Sequence, residues 1–213
     1  MKIKKYSTPH SFKDRKGYVP DMIVLHNTGN TRISSAHYWF LDPDSFVSAH
    51  FLVGLDGEIR QYVDLKDGAF CNGTSQSKTQ KSYYRNALSP LVASRPHNCN
   101  YYTVAIECVG NCGDGLTKEQ LVAVAELIKH INKELKRLYS AAVPLDSEHI
   151  VRHCDINPKN KSTCGKNISV AEIITRIKKD AEPPAVRPAK PLKPLKPRPV
   201  CNQTDRKAII KEN

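Results

Sequence analysis

Three short apolar runs in this chain each stop at a residue able to do chemistry, and this constrains the fold more than any other feature. Met22-Ile23-Val24-Leu25 ends in His26, Val104-Ala105-Ile106 ends in Glu107, and His149-Ile150-Val151 leads to His153. Runs this short and apolar, closed by turn residues such as Asn27-Thr28-Gly29, read as buried strands. Helical patterns separate them. The succession of helix, hairpin, strand, helix, strand and helix then amounts to an α/β fold, a central mixed sheet flanked by helices.

The intervening elements follow from local pattern. Thr31 to Leu41 reads as a helix with Ile33, Ala36, Tyr38, Trp39 and Phe40 crowding one side, stopped by Asp42-Pro43. Ser48–Leu55 and Glu58–Val63 read as a hairpin, and Asp56-Gly57 suits a type I′ turn. Thr117-Lys118-Glu119-Gln120 is a capping box that opens the longest helix. Along it Leu121, Val124, Ile128, Ile131, Leu135 and Leu138 step by threes and fours to make one apolar stripe. His130 lies off that stripe and reads as a surface residue. Ser169 to Glu172 is a second capping box, and the helix behind it buries Ile173, Ile174 and Ile177. Asp67 to Asn100 is polar and irregular, and a loop this long in a compact domain is usually functional.

Residues 1–180 make the domain, and the composition breaks at Ala181. Half of the fourteen prolines fall between Pro183 and Pro199, so residues 181–213 read as a flexible basic tail. Within it Arg187, Lys190, Lys193 and Lys196 recur every third residue, each followed by proline. In polyproline II geometry they would form a cationic row. A net charge of +12 implies affinity for polyanions. Nucleic acid is the common partner of such a balance, but the chain has neither a helix studded with Lys and Arg nor an aromatic RNA-binding signature. Anionic wall polymers suit the charge equally well. No apolar run approaches the roughly 18 residues of a membrane span. The opening MKIKKYSTPHSFKDRKG has no apolar segment behind its charges, so synthesis in the cytoplasm without a secretory signal is expected. Seven cysteines in no secreted-scaffold spacing point to reduced thiols, although Cys108 and Cys112 are close enough to pair or to bind metal.

The chemistry centres on His26, His153 and Cys164, the last reached eleven residues after His153 by the polar loop CDINPKNKSTC. Two histidines at strand ends and one thiol give three protein ligands and leave a position for water, the pattern of a hydrolytic zinc centre. A lone histidine at a core edge is more often hydrogen-bonded to backbone, so the pairing of the two carries the reading. Rival ligands are His50, Cys154 and Asp155. Cys154 should point to the opposite face of a strand from His153, and Asp155 is better placed to orient a ligand. Glu107, a charge closing an apolar strand, either pairs in an ion pair or acts as a base.

The blocks IVLHNTG, SAHFLVGLDGEIRQ, VAIE and HIVRHCDI…KSTC, in this order over about Met22 to Asp180, resemble the type-2 zinc N-acetylmuramoyl-L-alanine amidases. That family includes bacteriophage endolysins and bacterial autolysins and is related to the peptidoglycan recognition proteins. The resemblance implies a zinc ion held by His26, His153 and Cys164, and Glu107 activating its water. It implies a cation near the metal-binding cysteine, where this chain has Ser162 with Lys161 one residue earlier. It implies Asn27, Thr28, His50, Phe70 and Asn72 as groove residues in contact with a muramyl peptide, Cys71 standing where the family often has histidine. The implied activity is cleavage between N-acetylmuramic acid and L-alanine, in a phage endolysin of a Gram-positive host that reaches the wall after release. A host autolysin of the same chemistry and a muropeptide-binding module without hydrolysis are the alternatives.

Overall fold

The computed structural model describes residues 1–73, 86–95 and 98–181. Its compact unit runs from Met1 to Ala181, and the proline-rich tail and its basic triplets lie outside the described residues. The main sheet has six strands in the order β1-β5-β4-β7-β3-β8. These are β1 (Ile3–Lys5), β3 (Met22–Asn27), β4 (Phe51–Val53), β5 (Ile59–Gln61), β7 (Thr103–Cys108) and β8 (Ile150–Arg152). Only the β4–β5 pair is antiparallel; β1–β5, β4–β7, β7–β3 and β3–β8 are parallel. The sheet is therefore mixed, as its alternation of hairpin and helices implies. A two-stranded sheet joins β2 (Ser11–Phe12) to β6 (Gly68–Ala69).

The two faces of the main sheet are covered differently. Ile23, Leu25, Val104, Ile106, Phe51, Val53 and Ile150 point to one face. There they pack against α3 (Lys118–Tyr139) and α5 (Val170–Ala181) in one continuous core. The capping box of α3 is formed in both directions between Thr117 and Gln120. Val124, Leu127, Ile128, Ile131 and Leu135 of α3 are fully buried, each worth about 1.5–3 kcal/mol by transfer. Ile173 and Ile177 dock α5 on the same core, with Ile174 half-buried. The opposite face has two smaller clusters. One groups Ala36 and Phe40 of α1 (Ile33–Leu41) with Leu52, Ala105 and Val109. The other groups Val92 of α2 (Pro90–Ser94) with Met22, Val24, Cys99, Tyr102 and Val151. Between these clusters the face is open.

Several local expectations change. The β4–β5 connection is not a type I′ turn, which needs positive φ at both central residues. Here Gly57 has φ +81° and Asp56 does not have a positive φ. The Gly57 N–H donates to Gly54 O and the Gly54 N–H to Glu58 O, a longer loop with glycine at its left-handed position. On α1, Tyr38 and Trp39 are exposed rather than packed with Ala36 and Phe40. The six described cysteines are free thiols, with Cys108 in the core and Cys112 exposed. Among the described residues no helix is long and apolar enough to cross a membrane.

Candidate active site

Register places the chemistry. Strands alternate their side chains, and parallel pairing aligns Met22 with Thr103, Val24 with Ala105 and His26 with Glu107. Val24 also aligns with Val151. His26 and Glu107 therefore project from the ends of adjacent strands on the open face. β8 ends at Arg152, and His153 opens a one-turn helix, α4 (His153–Ile156). This corrects the reading of His153 as a strand residue and of Cys154 as facing away from it across a strand. The turn is fixed by Asp155, which accepts from the Arg152 N–H at 2.9 Å and grips the Arg152 guanidinium at 2.9 and 2.7 Å. Asp155 is thus engaged with arginine and does not orient a ligand.

The loop after α4 returns to the sheet and delivers Cys164. The Cys154 N–H donates to the Cys164 carbonyl at 3.0 Å, and the Gly165 N–H donates to Asn27 Oδ1 at 2.9 Å. Gly165 has φ +75°, and a Cβ there would meet Leu25 O at 2.8 Å, so only glycine lets the loop approach β3 this closely.

The result is a tight buried cluster. His26 Nδ1 and His153 Nδ1 are 3.0 Å apart, and Cys164 Sγ is 4.0 Å from His26 Nδ1. The three candidate ligand atoms lie within 4.8 Å of one another. Glu107 Oε1 is 3.8 Å from His26 Nδ1. Zinc bond lengths of about 2.0 Å to nitrogen and 2.3 Å to sulfur put ligand atoms about 3–4 Å apart on one tetrahedral ion, so these side chains fit a divalent metal. His26 Nε2 and Glu107 Oε2 are buried with no hydrogen-bond partner among the described residues. The His153 Nε2, by contrast, lies 3.4 Å from the Asn72 carbonyl, which fixes the ring.

Burial sets the proton affinities. It holds the His26 imidazole well below the usual histidine range, helped by His153 and Lys161. It lowers His153 to about 4, with Lys161 acting in the same direction. Burial thus favours the neutral form of both rings, the form that can donate a lone pair. Burial pushes Glu107 up to about 7, opposed by Lys161, and that is a suitable value for a group that takes up and releases protons near neutrality. Burial and the Glu107 carboxylate push the Cys164 thiol up to about 12. A cation beside the sulfur is what would make the thiolate.

Glu107, His153 and Cys164 open onto a cavity of about 1030 Å³, with His26 buried behind them. Asn27, Thr28, Phe70, Glu107, Lys161, His153 and Cys164 all line it. Lys161 is exposed there, whereas Ser162 is exposed without lining it. Asn27 spends its side chain on the cysteine loop, and Thr28 Oγ1 donates to Asn30 O at 2.8 Å. Two expected groove residues do not reach the cavity. His50 is fully buried; its Nδ1 accepts from the Ala105 N–H at 3.0 Å and its Nε2 is 2.6 Å from the Arg15 guanidinium. Asn72 turns its side chain inward to Thr103 Oγ1 at 3.1 Å and presents its carbonyl to His153 at 3.4 Å.

Arg15, one of several basic residues at the start of the chain, carries no sequence signal that sets it apart. It is completely buried, donates to Leu65 O at 2.7 Å and Thr103 O at 2.8 Å, and is lowered to about 10 by burial. It sits in the middle of three left-handed residues, Asp14, Arg15 and Lys16. A run of charged residues gives no periodicity that would mark one of them as buried.

A mixed sheet on whose open face two histidines, a cysteine and a carboxylate converge offers a candidate metal site. The chain belongs to the N-acetylmuramoyl-L-alanine amidase family, whose model matches residues 16–166. A relative from Haemophilus influenzae, 1,6-anhydro-N-acetylmuramyl-L-alanine amidase AmpD, is 27% identical over 132 residues, 62% of this chain and 59% of that protein. The chain thus spans less than two thirds of that relative's length. In the fold, a crystal structure of a Se-Met AmpD derivative matches with TM-score 0.58 and 23% identity, covering 82% of this chain and 94% of the other. A mutant endolysin from Bacillus subtilis matches with TM-score 0.51 and 22% identity, covering 83% and 99%.

Proposed function

We propose that this chain is a zinc-dependent N-acetylmuramoyl-L-alanine amidase that hydrolyses the amide between the lactyl group of N-acetylmuramic acid and L-alanine. The observation that carries the reading is the convergence of His26, His153 and Cys164 within 4.8 Å beside the Glu107 carboxylate. When bound there, zinc supplies a Lewis acid that polarises the carbonyl and acidifies a water. His26, His153 and Cys164 are the residues that would hold it. Glu107 takes the proton of the attacking water and returns it to the amide nitrogen as the C–N bond breaks, so the products are a lactyl carboxylate and a free amine. Lys161, on the cavity wall, offers a positive charge to the oxygen that becomes negative in the transition state. Phe70 and Thr28 border the substrate.

The decisive experiment compares wild type and Cys164→Ser for zinc content and release of muramyl peptide. Wild type should carry one zinc per chain and lose activity to a chelator, with recovery on adding zinc; Cys164→Ser should lose both metal and turnover. Full activity in the chelator would overturn the reading.

As to setting, we favour a phage endolysin of a Gram-positive host, made in the cytoplasm and acting on the wall after release. The relative named for 1,6-anhydro substrates favours a second reading, in which the substrate is a soluble 1,6-anhydro muropeptide. Cleared zones in a gel of whole walls support the first; turnover of the anhydro muropeptide with intact walls left untouched supports the second. For the tail we propose that Arg187, Lys190, Lys193 and Lys196 meet anionic wall polymers. Truncation after Lys179 should then lower wall lysis most at low salt while leaving soluble muropeptide hydrolysis unchanged.

A further inference from the structure

Three of the six described thiols, those of Cys71, Cys112 and Cys164, line the cavity. Hydrolysis uses only Cys164. Cys71 is half-buried and its thiol donates to Asn100 Oδ1 at 3.4 Å. Cys112 is the one exposed cysteine among the described residues.

Local structure fixes where Cys112 stands. The chain leaving β7 turns at residues 111–114, where the Asp114 N–H donates to Asn111 O at 3.0 Å and the Asn111 N–H to Asp114 Oδ2 at 2.7 Å. Gly113 takes the left-handed position of that turn, with φ +92°. Cys112, one residue earlier, lies against the exit of β3: a Cβ on Gly29 would stand 3.6 Å from Cys112 Sγ. Gly29 is three residues beyond His26. Main-chain bonds in both directions between Asn30 and Gly110, at 3.1 and 2.9 Å, secure this approach.

The same turn packs on the loop that carries Cys164. The Asn167 side-chain amide donates to Gly113 O at 2.6 Å, and the Asn167 carbonyl lies 3.3 Å from where a Cβ on Gly115 would stand. Asn27 spans the two segments, accepting from the Gly165 N–H at 2.9 Å and reaching Asp114 O at 3.5 Å. Each of the two cysteines therefore adjoins a residue that ties the loops together, and both face one cavity. Burial does most to push the Cys164 thiol up to about 12, and the charge of Cys112 adds to it.

We propose that Cys112 and Cys164 form a thiol–disulfide pair in which Cys112 is the entry point for a small disulfide and Cys164 is the resolving thiol. The Cys112 thiolate attacks one sulfur of a low-molecular-weight disulfide, RSSR. A Cys112–SR bond forms, the S–S bond of RSSR breaks and one RSH leaves. The Cys164 sulfur then attacks the Cys112 sulfur and expels the second RSH. Two protein thiols are oxidised, one RSSR is reduced to two RSH, and the two thiol protons leave on them. Burial makes Cys164 a slow nucleophile towards a reagent in solution, and a partner on the same cavity wall offsets this by making the second step intramolecular. The link requires Cα atoms about 4.4–6.8 Å apart, and the exposed turn at Cys112 is the side that adjusts. Once linked, Cys164 no longer offers a thiolate to a metal. This consequence rests on the metal reading above; the pair itself does not.

The test treats full-length, zinc-loaded protein with oxidised glutathione, follows zinc release with a chromophoric indicator and maps disulfides by peptide mass without reduction. Wild type should lose its zinc as a Cys112–Cys164 linked peptide appears, and dithiothreitol should reverse both. Cys112→Ser, a change at an exposed turn position, should carry as much zinc as wild type and release none under the same oxidant. Arrest at a glutathione adduct on Cys112, linkage of Cys112 to Cys71 or any other cysteine, or zinc release from Cys112→Ser at the wild-type rate overturns the pair. A wild type that forms the Cys112–Cys164 link but never held zinc supports the pair and counts against the metal reading instead.

Discussion

The two faces of one sheet make the most instructive contrast in this protein. On one face, Ile23, Leu25, Val104 and Ile106 are sealed by the long helices α3 and α5 into a continuous core. On the other, alternate residues of the same strands meet two short-element clusters that do not join. His26, Glu107 and His153 stand near that gap. The same backbone hydrogen bonds thus support a face specialised for stability and a face where polar groups remain underused. His26 Nε2 and Glu107 Oε2 have no partner among the described residues. Buried polar atoms of this kind are costly unless something binds them.

The largest effect expected from breaking this contrast is at Glu107. Glu107→Gln should lower turnover by about 10²–10⁴ while leaving zinc content intact. Burial raises the Glu107 pKa from 4.5 to about 7, so stability falls as pH rises from about 4.5 to about 7, and the full penalty of ionising it is present above that. In the metal-free protein the glutamine variant should therefore be as stable as wild type or more so at pH 8, measured by urea unfolding. A variant with near-normal kcat would assign Glu107 a structural role.

The closed face should behave in the opposite way. Leu127 is fully buried in the core under α3, and Leu127→Ala should cost about 2–5 kcal/mol. Its kcat per folded molecule should stay within about twofold of wild type, because cavity creation in one layer leaves the strand ends in register. A large loss of kcat at low temperature, where the variant is folded, would mean that the two faces are mechanically coupled.

Gly165 tests the boundary between faces. Alanine there would need its Cβ where Leu25 O stands, in a left-handed backbone. Gly165→Ala should cost about 1–2 kcal/mol and weaken zinc retention against a competing chelator through displacement of Cys164. Loss of stability with unaltered zinc retention would show that the loop adjusts without moving its thiol. The smallest effect is at the start of α3. Thr117→Ala removes the acceptor for the Gln120 N–H and should cost about 1 kcal/mol, with no change in zinc affinity.

The local elements were legible in the sequence because short-range chemistry specifies them. The apolar runs gave the central strands, the Thr117 and Ser169 caps marked the starts of α3 and α5, and the three- and four-residue spacing of α3 named its buried stripe. The convergence of His26, His153 and Cys164 was legible for a related reason: a side chain at the end of a buried strand has few places to go, and a thiol on the following loop lies within reach.

Other features were decided by tertiary structure because they depend on partners distant in the chain. His50 was drawn out of the groove by Arg15 and Ala105, which lie 35 and 55 residues away. Asn72 faces Thr103 for the same reason. Tyr38 and Trp39 share a helix with Ala36 and Phe40, yet only the latter pair meets the sheet, since a helix can bury only the stripe that a neighbouring surface covers. Which residues form strands and helices was set by the local order of apolar and polar side chains. Which of their faces was closed, and which was left open beside the His26, His153 and Cys164 cluster, was set by the lengths and positions of the helices that the sheet had to accept.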